Sequence, residues 1–234
     1  MRAELSDLHA AIGSTIHGSS LTAPAQINGV STNSQTVAAG NLFVALSGER
    51  FDAYDFLPEV AARGAAAVVV AKMPPAGYRL PALVVPDTRY ALGQIANWWR
   101  RQFAVPVIGV TGSNGKTTVK EMIAAILAAE YGEAHYLSTR GNLNNEIGVP
   151  LTLLRLEGGH RAAVIELGMN HPGEIAYLSR LTQATVALVN NAQREHQEFM
   201  GTVEAVALEN GAVLQALPAN GVAVFPADET FTPV

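Results

Sequence analysis

The sequence predicts an α/β protein in two parts, the second built on a mostly parallel, doubly wound sheet. Three observations carry this reading. Apolar runs alternate with helical patterns along most of the chain. The alternation breaks and restarts at Arg100-Arg101-Gln102-Phe103-Ala104-Val105-Pro106. Directly after the break, an apolar strand runs through a glycine-rich turn into a helix.

The first series supplies a small α/β domain, residues 1–104. Leu42–Leu46 reads as a strand, Phe56–Arg63 as a helix, Ala66–Ala71 and Leu83–Val85 as strands, and Thr88–Phe103 as a helix. The second series occupies residues 105–234. Val107–Thr111 is a strand and Lys116–Tyr131 a helix, with Val119, Met122, Ile123, Ile126 and Leu127 expected on one face. Strand Ala162–Leu167, helix Gly173–Arg180, strand Val186–Asn190, helix Thr202–Leu217 and strand Val222–Phe225 follow. Such alternation implies parallel strands covered on both faces. No helix follows the last strand, so this domain is expected to be incomplete at its C-terminal end.

Composition excludes several classes. With 49% hydrophobic and 15% charged residues among 234, the chain is globular and not disordered. A net charge of -5 and the lack of a basic stripe argue against nucleic-acid binding. There is no cysteine, hence no disulfide, zinc-thiolate site or cysteine nucleophile. Met1 to Ile12 carries Glu4 and Asp7 and does not read as a signal peptide. The longest apolar stretch, Ala65 to Ala71, is far below the roughly 20 residues that span a bilayer. A soluble, cytoplasmic protein is expected.

The most informative segment is Val107-Ile108-Gly109-Val110-Thr111-Gly112-Ser113-Asn114-Gly115-Lys116-Thr117-Thr118. Glycines permit positive φ and close backbone approach, so successive N–H groups can surround phosphate oxygens at a helix N-terminus. Gly112, Ser113, Asn114, Gly115, Lys116, Thr117 and Thr118 are the candidate ATP-binding residues. Lys116 would reach the β- and γ-phosphates, and the Thr117 hydroxyl would hold Mg²⁺. The strict phosphate-loop pattern is not met, because Val110 stands at its first glycine position.

Several segments together resemble the Mur ligases. Gly109–Thr118 is similar to the phosphate loop of that family, which departs from the standard pattern in the same way. Gly141-Asn142-Leu143-Asn144-Asn145-Glu146-Ile147-Gly148-Val149-Pro150 looks like its substrate-side loop. Val164-Ile165-Glu166-Leu167-Gly168-Met169-Asn170-His171-Pro172-Gly173-Glu174-Ile175 resembles a segment typical of the members that add D-alanyl-D-alanine, and Asn190-Asn191, His196, Glu198 and Gly201 match their next loop. Leu42-Phe43-Val44-Ala45-Leu46-Ser47-Gly48-Glu49-Arg50-Phe51-Asp52 resembles their UDP-substrate region. The resemblance covers roughly residues 25 to 234.

It implies a two-step ligation. ATP phosphorylates the carboxylate of UDP-N-acetylmuramoyl-tripeptide to an acyl phosphate, and the amine of D-alanyl-D-alanine displaces the phosphate. It implies ATP and Mg²⁺ as cofactors, a monomer, an N-terminal UDP-substrate domain and a central ATP domain. The family's third domain, which binds the incoming amino acid or dipeptide, is missing from this sequence. Lys116, Glu166 and His196 are the candidate catalytic residues; Thr117, Glu166 and His196 the candidate metal ligands. Glu166, at the end of an apolar strand, suits nucleotide-bound Mg²⁺, or else faces a loop or caps a helix. His196 either ligates a second Mg²⁺ or bonds within its loop. Ser31, Thr32, Ser47, Gly48, Asn142, Asn144, Asn145, Asn170 and His171 are candidate substrate ligands. The asparagines of the 142–145 turn could instead satisfy only their own backbone, and Asn170 could be a helix N-cap.

Two departures stand out. Asn33-Ser34-Gln35 replaces the family's Asp-Thr/Ser-Arg triplet, which puts the arginine contact in doubt. Where many members carry a CO₂-modified lysine on the second metal, this chain has Asn210, and residues 121–234 contain no lysine. Asn210 is in phase with Val203, Val206, Ala207, Val213, Leu214 and Leu217 and is expected to point inward. Its partner there is either metal-bound water or phosphate, or neighbouring backbone; Glu209 is a further candidate for the missing charge. Other amide ligases of the family, a P-loop kinase or regulatory NTPase, and a binding module without turnover are the alternatives.

Overall fold

A computed structural model describes residues 1–17, 25–48, 52–194 and 197–232. The chain divides into two compact units, Met1–Trp98 and Trp99–Val234.

The first unit opens with β1 (Arg2–Glu4), α1 (Leu5–Ile12), β2 (Thr15–His17), β3 (Gln26–Asn28) and β4 (Val30–Ser31). It continues with β5 (Leu42–Val44), a 3₁₀ turn at Ala53–Phe56, α2 (Leu57–Ala62), β6 (Ala67–Val70), β7 (Ala82–Val84) and α3 (Thr88–Arg100). β1 and β3 form an antiparallel ribbon. The main sheet runs β2-β7-β6-β5-β4, parallel except for β2. Phe43, Val68, Val70 and Ala82 from its strands pack with Leu57 and Val60 of α2, all buried. These strands are apolar on both faces, as expected of parallel strands buried from both sides.

The second unit contains β8 (Val107–Thr111), α4 (Lys116–Tyr131), β9 (Tyr136–Ser138), α5 (Gly148–Leu153), β10 (Ala162–Glu166), α6 (Glu174–Thr182), β11 (Val186–Val189), α7 (Gln197–Met200), α8 (Val203–Gln215) and β12 (Val222–Val224). Its sheet has the order β12-β11-β8-β10-β9 and every pairing is parallel. The predicted α/β class and doubly wound arrangement are therefore present. On one face, Val110 and Val164 meet Ala124 and Leu127 of α4. On the other, Gly109 lies against Ala184 and Val213, where an added Cβ would stand 3.3 Å and 3.4 Å from their side chains. Gly109 thus serves helix–sheet packing and not the phosphate turn.

The predicted apolar face of α4 needs correction. Ala124, Leu127 and Lys120 are buried, whereas Met122 and Ile126 are 62% and 66% exposed. Met122 and Ile126 each lie two positions beyond a buried residue, Lys120 and Ala124, a rotation of about 200° that turns them to the other side of the helix. Lys120, fully buried, pairs its ammonium with Glu121. The helix predicted to reach Phe103 ends at Arg100, and its last two residues belong to the second unit. The Trp99 indole N–H donates to Leu156 O at 3.0 Å. The buried Arg100 guanidinium donates to Thr182 O (2.9 Å), Phe103 O (2.6 Å) and Gln183 O (3.0 Å). It thereby satisfies carbonyls that α6 leaves unpaired at its C-terminus.

Replacing Arg100 with Met is expected to destabilise the second unit by about 2–4 kcal/mol, since buried carbonyls lose charged donors. Urea denaturation followed by far-UV circular dichroism measures this, and a change below about 0.5 kcal/mol would contradict it.

Candidate functional site: a nucleotide cleft at the strand ends

Parallel strands present their C-terminal ends on one edge. β8, β10 and β11 bring Thr111, Glu166 and Val189 there, with Glu166 paired to Val110 and Val189 to Thr111. Beyond Thr111 the chain turns through Gly112 (φ 130°) and Gly115 (φ 77°) into α4. An added Cβ at Gly112 would lie 3.0 Å from the backbone nitrogens of Asn190 and Asn191, so only glycine fits.

The turn is fastened to the loop after β11. Ser113 N donates to Asn191 O (3.1 Å) and Asn114 N to Asn191 Oδ1 (2.9 Å). The amides of Asn190 and Asn191 both donate to Asn114 O, at 2.6 and 3.0 Å. Ser113 Oγ donates to Gln193 O (3.1 Å) and accepts from Gln193 N (2.9 Å). Lys116 Nζ curls back onto Gly112 O (2.6 Å) and Ser113 O (3.2 Å). Gln193 had no sequence signal beyond its nearness to the Asn190-Asn191 pair.

Opposite stands Glu166, 1% exposed. Its Oε1 accepts from Thr117 Oγ1 (3.2 Å) and from Asn144 Nδ2 (2.9 Å), while its Oε2 is buried without a hydrogen-bond partner. A buried carboxylate oxygen left unsatisfied is costly, and a hard cation beside the Thr117 hydroxyl is a chemically suitable partner. The donor set therefore fits Mg²⁺ held by Glu166 and Thr117. His196, the other predicted ligand, lies outside the described residues, as do Glu49, Arg50 and Phe51. Among the described residues no cluster of three His, Cys, Asp or Glu forms a metal site.

The cleft between these elements has a volume of about 510 Å³. Ser113, Asn114, Gly115, Lys116, Thr117, Thr118, Asn142, Asn144, Asn145, Glu166 and Asn170 all line it, so most of the predicted second-unit residues converge there. Asn142 Oδ1 accepts from Asn144 Nδ2 (3.0 Å). Asn145 Oδ1 accepts from Ile147 N and Gly148 N, which makes it chiefly a brace for the start of α5. Gly148 is required there, because a Cβ would fall 2.4 Å from the Leu143 backbone.

Asn170 does not cap α6. That helix starts after Gly173, and the Asn170 and His171 N–H groups donate to Glu174 Oε2, at 2.6 and 3.1 Å. The His171 ring contacts Glu174 Oε1 (3.2 Å) and leans on Phe199. Glu209, the further candidate for the missing charge, accepts from Gly173 N and Ile175 N, both at 2.8 Å. Asn210 is inward and 1% exposed, as its phase predicts, but its partners are protein. Oδ1 accepts from Thr111 Oγ1 (2.7 Å) and Nδ2 donates to Val206 O (3.0 Å).

The remaining candidates belong to the first unit. Ser31 ends β4, and Ser47, Lys72 and Arg89 follow β5, β6 and β7, again on the C-terminal edge of parallel strands. Ser47 Oγ donates to Asp52 Oδ1 (3.0 Å), and Arg89 donates to Ser47 O (3.0 Å). Lys72 pairs with Asp52 (3.0 Å) and lies over the Tyr54 ring. The Tyr54 N–H, against a smaller opposing effect of burial, and Lys72 hold the Asp52 carboxyl below its ordinary value. Thr32 and Gly48 flank this edge. Asn33-Ser34-Gln35 closes on itself, with Asn33 Oδ1 accepting from Gln35 N (2.8 Å). Lys72 and Arg89 were not visible from sequence, because isolated basic residues carry no pattern.

The Mur ligase middle domain matches residues 110–233, and the Mur ligase family catalytic domain matches residues 26–100. The chain belongs to the Mur ligase family. It is similar to UDP-N-acetylmuramoyl-tripeptide--D-alanyl-D-alanine ligase of Escherichia coli (strain K12), 46% identical over 224 residues, which are 96% of this chain and 48% of that protein. Among solved structures, MurF from Acinetobacter baumannii superposes with a TM-score of 0.91 at 37% identity, covering 99% of this chain and 50% of that one. A MurF ligase from Thermotoga maritima in complex with ADP gives 0.78 at 32% identity, covering 86% and 46%. The chain thus spans about half the length of the relatives it matches. Among the described residues, no helix is long and apolar enough to cross a membrane.

Burial works to raise the Glu174 pKa, but the Asn170 and His171 N–H groups and the His171 ring outweigh it and hold the carboxyl below 4.5. A depressed pKa gives stability that is complete above the ordinary value and lost as pH falls through the lower, folded-state one. Wild type is therefore expected to exceed Glu174→Gln in stability at neutral pH, and the gap should close below pH 4.5. Thermal melts across that range measure it; a gap independent of pH would contradict it.

Proposed function

We propose that the chain is the substrate- and ATP-binding front part of an ATP-dependent ligase of peptidoglycan precursor synthesis. The complete enzyme would add D-alanyl-D-alanine to UDP-N-acetylmuramoyl-tripeptide, in the cytoplasm and as a monomer. The observation that carries this is Glu166, whose Oε1 receives the Thr117 hydroxyl at the foot of a glycine turn while its buried Oε2 has no partner. The names and ADP complex of the similar proteins support the substrate assignment.

In this reading the N–H groups of the 112–115 turn and the N-terminus of α4 receive the phosphates of ATP. Lys116 moves from the loop carbonyls onto the β- and γ-phosphates. Glu166 and Thr117 would hold Mg²⁺, whose positive charge would stabilise the phosphate oxygens. The peptide carboxylate attacks the γ-phosphorus and the bond to ADP breaks; the incoming amine then attacks the acyl carbon, forming the amide as inorganic phosphate leaves and the nitrogen gives up a proton. Positioning and charge stabilisation do most of this work. Asn142, Asn144 and Asn170, which line the cleft, would meet the peptide substrate. The edge carrying Ser31, Thr32, Ser47 and Gly48, with Lys72 and Arg89, is suited to the UDP moiety.

Calorimetry with Mg²⁺ and ATP tests the nucleotide site, and ligation in a full-length form, with and without D-alanyl-D-alanine, tests the reaction. Lys116→Ala is expected to lower kcat by about 10²-fold or more; near-normal turnover would overturn the phosphate-loop assignment. The 234-residue chain alone is expected not to ligate. With Asn210 bonded to Thr111 and no lysine in residues 121–234, full-length activity should not respond to added bicarbonate. Activation by bicarbonate would show that a modified lysine takes part.

A further inference from the structure

Helix α8 bonds to two flanks of the cleft through two consecutive polar residues, Glu209 and Asn210. Asn210 receives the hydroxyl of Thr111, the last residue of β8 before the glycine turn. Glu209 receives the N–H groups of Gly173 and Ile175 with its two carboxylate oxygens, both at 2.8 Å. The segment leading to Gly173 is the opposite wall of the cleft, which Gly168, Met169 and Asn170 line. A helix N-terminus generally attracts an anion. At α6 that place is taken by a protein carboxylate, Glu209 from α8, while Glu174 receives the N–H groups of Asn170 and His171 just before the helix. This N-terminus is therefore a fastening point for the wall and not a second phosphate site.

We propose that Glu209 is a positioning residue: with Asn210 it makes α8 a strut that fixes the spacing between the glycine turn and the 168–173 wall. The strut works through geometry on the side away from the nucleotide. Neighbouring residues of a helix are separated by a rise of about 1.5 Å and a rotation of about 100°, so one rigid backbone holds two loops that share no covalent proximity. Thr111 and Gly173 cannot change separation unless one of these contacts breaks. Among the described residues the wall has no other hydrogen bond across to α8, because the bonds to Glu174 are internal to the 170–174 segment. The link at its near end, Gly168 N to Asn144 O (2.8 Å), runs to a different loop. The proposal rests on the cleft being the nucleotide site.

Amide hydrogen exchange on the 234-residue chain, combined with ADP titration in the presence of Mg²⁺, tests it. In Glu209→Ala, the amides of residues 168–175 are expected to exchange about tenfold faster, the effect of losing one helix cap. Amides of β8 and β10 should be unchanged, which shows that the unit is still folded. ADP affinity should fall severalfold in the same variant, and Glu209→Gln, which keeps one acceptor oxygen, should recover part of both effects. Unchanged exchange at 168–175 would overturn the strut. Faster exchange with unaltered ADP affinity would overturn it too, reducing Glu209 to an ordinary cap. If the unaltered chain does not bind ADP, the nucleotide reading fails, and the exchange comparison still decides whether Glu209 holds the wall.

Discussion

The register of β8 between β10 and β11 governs everything at the cleft. Val110 faces Glu166 on one side, and Thr111 faces Val189 on the other. Because side chains alternate along a strand, a shift by one residue would turn each set to the opposite face of the sheet. The apolar runs prevent this: Ala162–Glu166 is buried throughout, so the pairing that buries Val164 and Ile165 also delivers Glu166 to the strand end. Site geometry here is a by-product of core packing, which places a carboxylate within reach of a helix N-terminus without any loop having to be ordered first.

Around that frame, the polar work is shared out by charge. Asparagines and Gln193 stitch the loops together, using groups that donate and accept without carrying charge. The formal charges inside the cleft reside mainly on Lys116 and Glu166. A neutral scaffold of this kind leaves the local field to those two side chains and to the helix N-terminus, where a triphosphate and its cation would meet it. The carboxylates of Glu174 and Glu209 are spent on backbone N–H groups at the rear of the wall.

Much of this was legible in the sequence because it depends on local pattern. The strand–turn–helix of residues 107–131, the strand ending at Glu166 and the inward phase of Asn210 all follow from period and spacing. Other features were not. The short strands β1 to β4 and β9 have two or three residues each, too few to show an alternation. Met122 and Ile126 were misplaced because an apolar residue on an alanine-rich helix reads as buried, while the face is in fact set by Lys120, Ala124 and Leu127. The role of Glu209 depends on a contact 36 positions away along the chain, which periodicity cannot report. The site residues proposed for the first unit share an edge, but Lys72 and Arg89 join them only once the sheet order is known.

The posture of Lys116 has a thermodynamic consequence. Its ammonium is already coordinated by Gly112 O and Ser113 O. An arriving phosphate therefore exchanges partners with the protein and does not meet a solvated cation, so its gain is the difference between two coordinated states. That difference is smaller than the full attraction between a lysine and a phosphate, yet little side-chain freedom is lost on binding, since the chain is folded over the turn beforehand. The two carbonyls released in the exchange point into the same turn that would cradle the phosphate. Each must then find a new donor or stay unpaired, which ties the final affinity to how well the 112–115 backbone readjusts.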